Sequence, residues 1–435
     1  MSLWAGAAVR DITPRKPLFL VGYPHVPRQS TGVNDPLLAV ALYLSDGTRA
    51  VMSIALDVLF IAHETAQSCR AQISQRTGVP AGSIMITATH THSGPVTADI
   101  LSWRDDPVVP HADPEYMAAF GAAIVEAAVA AKAQACEAEL AVTTVRVEGV
   151  GGNRLAADGV RDPEVGLIQV RRRADRTPLA LQLIYAMHPT VLHEDTTLVS
   201  SDFPGYTRQL LASHIPGLAI LYHNGPCGNL SPRYHVRGQT FAEAERLGHR
   251  LGTAVLAGLG ALTDADFRTS LAVAASHAWL TLPPRTFPTV AQAEQELCAA
   301  RADYQRLQDA GAGHGPVRTA ECTVFGAEEV VTLAKAQERG ETAAILRRYT
   351  PVEVQALRIG DHFLAGFPGE CFVEYGLELK RRCPGTFPIS LANGELQGYI
   401  PTPEATGYES RLSFFQPQAG SLLVDAAARL IGRLR

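Results

Sequence analysis

Ten short apolar segments constrain the fold of this 435-residue chain more than any other feature. Most of them are continuously apolar, which is the pattern of strands in a sheet that is covered on both faces. Turn residues bound them, and longer segments with helical spacing separate several of them. The segments are Leu37–Leu44, Ala50–Ile61, Ile84–Ala88, Leu140–Val147, Leu167–Arg171, Leu179–Met187, Leu218–Tyr222, Leu271–Leu282, Val354–Phe367 and Phe387–Leu391.

Three segments between or after the strands carry clear helix signals. Asp113 and Pro114 precede Glu115–Ala135, so an N-cap residue is followed by proline at the first helical position. Glu243–Leu262 and Leu422–Leu434 have similar apolar spacing. The chain is therefore predicted to be an α/β protein in which mixed β-sheets are flanked by helices.

A charged segment in the second half departs from this pattern. Over Thr289–Leu307 the apolar residues fall at the a and d positions of a heptad, and a glycine-containing loop and a polar helix from about Ala327 to Ala336 follow. We interpret residues 285–350 as a helical hairpin inserted into a single domain that spans residues 1–435. The hairpin is predicted to project from the sheets as a lid, as a dimer arm in a homo-oligomer, or as a packing element without further role.

Composition excludes several classes of protein. A net charge of −5 with 19% charged residues lacks the basic footprint of a nucleic-acid binder. No run approaches the ~18 apolar residues of a membrane span, and Arg10 and Asp11 interrupt the N-terminus before a secretion signal could form. The seven cysteines are scattered without a CxxC pair, so no disulfide framework or thiolate zinc site is indicated. We expect a soluble, reduced, cytoplasmic protein.

The segment THTHSGP, residues 89–95, directly follows the apolar strand Ile84–Ala88. Alternate side chains of an extended segment share a face, so His90 and His92 are predicted to point the same way. The Ser-Gly-Pro that follows is typical of a turn. Both imidazoles are therefore expected at the end of a strand, where α/β proteins place their sites. A polar strand end with two hydrated histidines is the alternative.

Further polar clusters also follow apolar strands. They are His188-Pro189, Ser231 after a glycine-rich turn, Glu370 in AGFPGE, and a segment that contains Tyr399 and Tyr408. A single edge of the sheet region could collect all of them. By contrast, the GxSxG elbow, the phosphate-binding loop and the glycine-rich dinucleotide fingerprint are absent from the sequence.

Taken together and in this order, these clusters resemble the catalytic domain of the neutral, non-lysosomal ceramidase family. The matching stretches are THTHSGP, HPT with a downstream SSD, GNLSP, PGE, and a GYIPTPE segment that ends in YE. The opening VRDITP and the closing helix SLLVDAAARLIGRL are also similar to the ends of that domain. The resemblance covers nearly the whole chain, as a short form without the family's immunoglobulin-like C-terminal domain.

The resemblance implies one zinc ion, with His90, His188, Glu370 and Tyr399 as its ligands. Imidazole and carboxylate are ordinary zinc donors, whereas a phenol must lose a proton whose reference pKa is ~10. Zinc lowers the pKa of a coordinated water molecule to roughly 7, so the ion would supply the nucleophile at neutral pH.

The resemblance also suggests which residues assist the reaction. His92 is the natural donor to the oxyanion, with Arg154 of GGNR and Tyr408 as further stabilisers. Ser231 occupies the place of an essential serine and is either a nucleophile or an orienting hydrogen-bond partner. We prefer the second, because no general base is evident beside it. Asn229 stands where the family has an aspartate.

The function implied is zinc-dependent hydrolysis of an amide, of the N-acyl amine type. A small soluble acyl amide or lactam fits a cytoplasmic protein better than ceramide, a membrane lipid. An ester or lactone hydrolase on the same site is an alternative, because its oxyanion needs the same stabilisation. A non-catalytic ligand-binding protein with a structural zinc is another.

Overall fold

The computed structural model describes residues 2–156 and 158–435. Ten α-helices are found in these residues: α1 His63–Thr77, α2 Pro114–Ala133, α3 Phe203–His214, α4 Phe241–Gly260, α5 Val290–Asp309, α6 His314–Glu338, α7 Glu341–Arg348, α8 Val373–Arg382, α9 Tyr408–Leu412 and α10 Ala419–Leu434. The three predicted helices are confirmed within three residues at each end. For α2 the cap is as expected, since the Asp113 carboxylate accepts the backbone N–H of Tyr116.

The strands of the same residues overlap every predicted apolar segment, but they divide Val354–Phe367 into two and end at Leu56 within Ala50–Ile61. In chain order they are β1 Leu3–Asp11, β2 Leu20–Val21, β3 Gly32–Val33, β4 Leu38–Ser45, β5 Ala50–Leu56, β6 Ile84–Ala88, β7 Gly94–Pro95, β8 Cys136–Arg146, β9 Gly152–Asn153, β10 Glu164–Arg172, β11 Pro178–Tyr185, β12 Leu198–Val199, β13 Ala219–Asn224, β14 Leu230–Ser231, β15 Val273–Leu280, β16 Val352–Ile359, β17 His362–Gly366, β18 Glu370–Cys371, β19 Thr386–Ile389 and β20 Tyr399–Ile400.

Two sheets form the centre of the fold. The larger has eight strands in the order β13-β11-β10-β8-β1-β4-β5-β6, and the smaller has four in the order β15-β16-β17-β19. Both are mixed, because antiparallel pairs in the middle are joined to parallel pairs at the ends. The predicted α/β class with mixed sheets is therefore confirmed.

The sheets stack face to face with helices outside them. One apolar cluster joins side chains of β1, β4 and β5 to those of β16, β17 and β19, so the two sheets share a core. Helices α1 and α2 cover the outer face of the large sheet at one end, and α3 and α4 cover it at the other. Helices α8 and α10 cover the small sheet. Strands buried on both faces explain the continuous apolar runs of the sequence.

Three strand–helix–strand units determine where the site lies. They are β5-α1-β6, β11-α3-β13 and β17-α8-β19, each with its two strands parallel. A parallel pair needs a crossover, and the loops that follow the carboxyl ends of such strands are where α/β folds place their sites. The predicted clusters follow β6, β11, β13, β17 and β19, so every one of them belongs to one of these units.

The charged segment forms a helical hairpin, but it differs from the prediction in two respects. The second helix, α6, begins at His314 rather than near Ala327, so the glycine loop is shorter than expected. The hairpin also does not simply project, because α6 packs on α9 and lines the cavity described below. A face of α6 with small and apolar residues makes this packing possible.

Helix α2 is long and apolar enough to cross a membrane by length and hydropathy alone. Its buried side chains pack against α1, β1 and β4 in the first core cluster. A core helix of a globular fold has this same composition, so the helix carries no indication of a membrane span.

Candidate metal centre and active site

His90 follows β6 in an unusual backbone conformation. Its φ is +73°, in the left-handed region that residues other than glycine rarely adopt. The backbone N–H of His90 donates to the carbonyl of Val58, which follows the neighbouring strand β5. The extended geometry on which the sequence argument relied therefore ends at Ala88. The rings of His90 and His92 nevertheless lie together, with centroids 4.9 Å apart.

His188 and Glu370 reach the same point from the other two units. His188 follows β11 and is 1% exposed, and Glu370 begins β18 after the left-handed Gly369. The Nε2 atoms of His90 and His188 are 3.1 Å apart, and each is 3.2 Å from Oε2 of Glu370. Three potential ligand atoms thus form a nearly equilateral triangle in a buried position.

The hydrogen bonds of the two rings fix their tautomers. Nδ1 of His90 is 2.9 Å from the carbonyl oxygen of Leu59, and Nδ1 of His188 is 2.8 Å from that of Cys227. A carbonyl only accepts, so both Nδ1 atoms carry the proton and both Nε2 atoms present a lone pair. Backbone carbonyls commonly orient metal-binding histidines in this way.

This triangle meets the chemical requirements of a cation site. Two lone pairs and a carboxylate oxygen that face one another repel unless a positive ion lies between them. Ligand atoms of a tetrahedral zinc with bonds of about 2.0 Å lie about 3.3 Å apart, close to the spacing of these three atoms. The donor set of two imidazoles and one carboxylate is also ordinary for zinc. His90, His188 and Glu370 therefore fit the predicted metal.

The site holds its ligands in the deprotonated forms that a metal needs. Burial, together with the positive charge of Arg154, lowers the pKa of His188 to about 3. Burial raises the pKa of Glu370, but the positive charges that His90 and His188 carry when protonated lower it well below the ordinary value. A metal ion that takes the place of those protons also keeps the carboxylate charged.

His92 lies beside the triangle with one ring nitrogen unused. Its Nε2 is buried and has no hydrogen-bond partner among the described residues, and the ring nitrogens of His90, His92 and His188 lie within 4.8 Å of one another. Nδ1 of His92 is 3.0 Å from the carbonyl oxygen of Gly22, so the lone pair is again on Nε2. Burial and the neighbouring histidines lower the pKa of His92 well below its usual value. In the resting state the Nε2 atom of His92 is therefore a hydrogen-bond acceptor. It can donate a hydrogen bond only after it has taken up a proton.

Gly22 is a functional residue that the sequence argument missed. Its φ is +124°, and a Cβ atom there would lie 2.6 Å from the ring of His92. Glycine is thus required twice, for the backbone conformation and for the space that the imidazole occupies. The isolated glycine in LVGYP gives no such signal, because the contact spans seventy residues.

Tyr399 and Arg154 form the wall next to Glu370. Strands β18 and β20 pair in parallel with Glu370 opposite Tyr399, and Nη2 of Arg154 donates to the Tyr399 hydroxyl over 3.2 Å. Burial raises the pKa of Tyr399 well above that of free phenol. Tyr399 lines the same cavity as His90 and Glu370, so the predicted fourth ligand lies in the site.

The buried Glu409 holds Arg154, which lies against Tyr408. Nε of Arg154 lies 2.8 Å from the Glu409 carboxylate, and its guanidinium carbon lies 5.5 Å above the ring of Tyr408. The hydroxyls of Tyr399 and Tyr408 are 3.5 Å apart. Gly326 of α6 makes room for Tyr408, since a Cβ there would lie 2.7 Å from that side chain. Both predicted stabilisers therefore lie in the cavity wall.

Ser231 also lies in the cavity wall, and its surroundings are those of an orienting residue. Its Oγ accepts the backbone N–H of Arg233 over 3.1 Å and lies 3.5 Å from the hydroxyl of Thr190. No histidine or carboxylate hydrogen-bonds to it among the described residues. The neighbouring Asn229 accepts the backbone N–H of Val373 and donates to both oxygens of Glu374, so a carboxylate at residue 229 would face that of Glu374.

Asp202 stabilises the loop that carries His188 but does not touch its ring. Its carboxylate accepts the backbone N–H groups of Val191 and Leu192, and it caps α3 at Phe203. The backbone carbonyls, rather than this carboxylate, orient the histidines.

A cavity of ≈ 110 Å³ lies beside these groups. At about 10–15 Å³ for each water position, it holds several water molecules. In addition to the predicted site residues, the side chains that line it include residues to which the sequence argument assigned no role in the site, namely Tyr23, Phe60, Trp103, Thr190, His193, Arg233, Arg318, Phe325 and Glu329. Those on α6 come from the hairpin, which was predicted but not assigned to the site.

Comparison with known proteins agrees with this architecture. Residues 4–221, half of the chain, match the family model of the neutral/alkaline non-lysosomal ceramidase N-terminal domain. A solved ceramidase in complex with C2 and the crystal structure of neutral ceramidase from Pseudomonas aeruginosa both match the whole chain and 75% of their own, each with a TM-score of 0.77, at 18% and 19% identity. A search of curated proteins gave no significant match.

Proposed function

Since the chain belongs to the neutral/alkaline non-lysosomal ceramidase family, we propose that it is a zinc-dependent hydrolase that cleaves the amide bond of an N-acyl amine. The family and the fold imply amide hydrolysis as the class of reaction. Zinc, the substrate type and the roles of individual residues are the parts that we propose here.

One observation carries the proposal. Two imidazole nitrogens and a carboxylate oxygen from three separate units of the fold face one another at 3.1–3.2 Å in a buried position. Such an arrangement is costly without a cation. His90, His188 and Glu370 would hold the metal, with Tyr399 as a further ligand. The bound zinc would act as a Lewis acid and as a source of an ionised water molecule near pH 7.

His92 would carry the proton that the attacking water molecule loses. Its Nε2 lone pair faces the site, so it accepts the proton that the water gives up, while the Gly22 carbonyl holds the ring through Nδ1. The resulting imidazolium would donate a hydrogen bond from Nε2 to the oxygen of the former carbonyl group. As the C–N bond breaks, it would give its proton to the departing amine nitrogen, which returns His92 to the neutral form. The sequence-based role of His92 as a donor is kept, but it follows the proton transfer rather than preceding it.

The remaining residues orient the substrate and stabilise charge. Arg154 and Tyr408 present a cation and a hydroxyl to the oxyanion, and Glu409 fixes the position of Arg154. Ser231 positions the substrate through a hydrogen bond rather than attacking it, because its Oγ accepts the backbone N–H of Arg233 and lies beside the Thr190 hydroxyl, neither of which is a base. Removal of one oxyanion donor typically lowers kcat by about 10²–10³-fold.

The experiment combines metal analysis with turnover. Purified protein is expected to contain one zinc per chain by elemental analysis. It should also hydrolyse members of a panel of acyl amides, lactams, esters and lactones, and a chelator should abolish that activity until zinc is restored. His92→Gln should keep the zinc and lose about 10²-fold or more in kcat. Stoichiometric zinc with no turnover of any panel member, and unchanged ligand binding in His92→Gln, would instead identify a binding protein with a structural metal.

A further inference from the structure

The cavity wall contains a buried positive charge that the proposed reaction does not use. Arg233 lines the cavity and is only 8% exposed. Its Nη1 donates to the hydroxyl of Thr319 over 3.1 Å, and its Nη2 lies 3.3 Å from Sγ of Cys322, both on α6. Within the part of the chain that the structure describes, no carboxylate oxygen lies within 4.0 Å of this guanidinium.

The other arginines of the wall differ in this respect. Arg154 lies 2.8 Å from the carboxylate of Glu409. Arg318 donates to both oxygens of Glu194 and also to Glu321. Their charges are therefore compensated by protein groups, and a bound anion would compete with a carboxylate that is already in place.

Arg28 shows the other way in which the fold satisfies a buried guanidinium. It is fully buried outside the cavity lining, and it donates to the carbonyl oxygens of Leu20, His92 and Thr196 and to Ser93. Backbone carbonyls surround it, so no ligand is needed. Arg233 has one hydroxyl and one thiol sulfur, and sulfur is a weak acceptor.

Arg233 thus has no anion in contact among the described residues, and the buried carboxylate of Glu409, which pairs with Arg154, interacts with it only at longer range. A guanidinium has five N–H donors, and a buried charge is stable only when it is paired and hydrogen-bonded. Glu329 is the nearest unpaired acid on α6 in sequence, but it follows Cys322 by seven residues, or about 10 Å along the helix. At that distance Glu329 does not compensate the charge of Arg233, and its carboxylate accepts a hydrogen bond from the hydroxyl of Ser102 instead.

We propose that Arg233 binds an acidic group of the substrate, so that the substrate is an acyl amide that carries a carboxylate near the bond to be cleaved. Arginine and carboxylate form paired, bidentate hydrogen bonds, which suits a guanidinium that lines a cavity. The carboxylate belongs either to the amine part, as in an N-acyl amino acid, or to the acyl part, as in the half-amide of a dicarboxylic acid. That the bound anion is part of a substrate rests on the proposed hydrolase function, whereas the anion site itself does not.

Two pairs of compounds with matched shapes test this inference. The first pair is N-hexanoylglycine and N-hexanoyl isobutylamine, in which an isopropyl group replaces the carboxylate. The second is N-butyl succinamate and N-butyl-4-methylpentanamide. The native protein should prefer the carboxylate member of one pair by at least tenfold in kcat/KM, and the pair that responds identifies the part of the substrate that is acidic. Arg233→Gln should abolish the preference, and Arg233→Lys should keep part of it.

Arg237→Gln is the matched control, because Arg237 is exposed four residues further on and its loss changes the net charge equally. It should leave the preference unchanged. The inference is wrong if the native protein shows no preference within either pair, or if Arg233→Gln lowers both members of a pair by the same factor. Thermal unfolding shows whether Arg233→Gln is folded. If it is not, the inference is tested by the preference for the carboxylate compound in the native protein and by its partial retention in Arg233→Lys.

Calorimetric binding of the same compounds to Glu370→Gln separates this inference from the hydrolase proposal. The carboxylate member should bind at least tenfold more tightly than its neutral partner, and Arg233→Gln in that background should remove the difference. If this result is obtained while no amide is hydrolysed by the native protein, the hydrolase proposal fails and the anion site stands. If the amides are hydrolysed without any such difference in binding or turnover, the anion site fails and the hydrolase proposal stands.

Discussion

Nε2 of His90 and Nε2 of His188 lie 3.1 Å apart, although ninety-eight positions of the chain separate the two residues. Each ring is fixed by a backbone carbonyl at Nδ1, so both present a lone pair to the same point. Both carbonyls belong to the backbone, so the fold itself orients the two ligands, which keeps the cost of ordering them low.

Replacement of Glu370 by glutamine should abolish metal binding while the fold is retained. The amide has almost the shape of the carboxylate but lacks the charge that balances a divalent ion between two neutral imidazoles. We expect no stoichiometric zinc and a loss of activity of about 10³-fold or more. Elemental analysis and kcat measure the two effects. Glu378→Gln is the control, because Glu378 is 34% exposed on α8, and it should match the native protein. Full zinc occupancy in Glu370→Gln would contradict the ligand assignment.

Replacement of Gly22 by alanine should damage the site through His92. The added Cβ would lie 2.6 Å from the imidazole at a φ of +124°, so overpacking of roughly 1–3 kcal/mol adds to the backbone strain. We expect kcat to fall by tenfold or more, measured together with denaturant unfolding. Gly47→Ala is the control for strain alone, because Gly47 has a φ of +87° with nothing within 4 Å of the new atom. It should lower stability but not kcat. Native kcat in Gly22→Ala would show that the ring position is unimportant.

Replacement of Ser231 by alanine distinguishes the two roles left open for this residue. If Ser231 orients the substrate, we expect kcat/KM to fall by about 10–100-fold, the loss of one or two hydrogen bonds. Loss of a nucleophile would instead cost about 10⁶-fold, as it does in serine proteases. Rapid-mixing kinetics gives an independent test, since an orienting serine produces no burst of released amine before steady state. A burst in the native protein, absent from Ser231→Ala, would overturn the orienting role.

The buried Glu329 should make stability depend on pH in a specific direction. Burial raises the pKa of Glu329 to about 7 in the folded chain, above the ordinary value of 4.5. The folded state therefore binds more protons than the unfolded state between these values, and its stabilising effect is complete below pH 4.5 and lost as pH rises through 7. The shift corresponds to a change on the order of 3 kcal/mol.

Glu329→Gln removes this titration, so its stability relative to the native protein should rise as pH increases from 4.5 to above 7. Urea unfolding of both proteins at a series of pH values, in the same metal-free buffer, measures the difference. Glu328→Gln on the same helix is less buried and serves as the control. A constant difference between native protein and Glu329→Gln across this range would contradict the prediction.

Much of the fold could be predicted from the sequence because it follows from local pattern. A buried strand must be continuously apolar, so Ile84–Ala88 was identified to the residue. The cap at Asp113 and the proline after it placed the start of α2. Prediction of the α/β class required no tertiary information. The same is true of the prediction that His90, His188 and Glu370 follow the ends of strands.

The convergence of those strand ends was decided only by tertiary structure. Strands β6 and β13 are the two edges of the eight-stranded sheet, yet Asn224 at the end of β13 donates to the carbonyl of Thr89 just after β6. The distance between two sheet edges depends on how far the whole sheet coils, and no local pattern encodes this.

The conformation and surroundings of individual site residues also lay beyond the sequence. The left-handed turn at His90 exists because its backbone is bonded to the end of β5. The tautomer of His92 is fixed by the carbonyl of Gly22. In the described part of the chain the charge of Arg233 has no carboxylate in contact, because α6 supplies a hydroxyl and a thiol at that position. The sequence by itself determined which elements form and which side chains end them. Tertiary structure determined what each of those side chains faces, because such contacts join residues whose separation along the chain leaves no periodic signal.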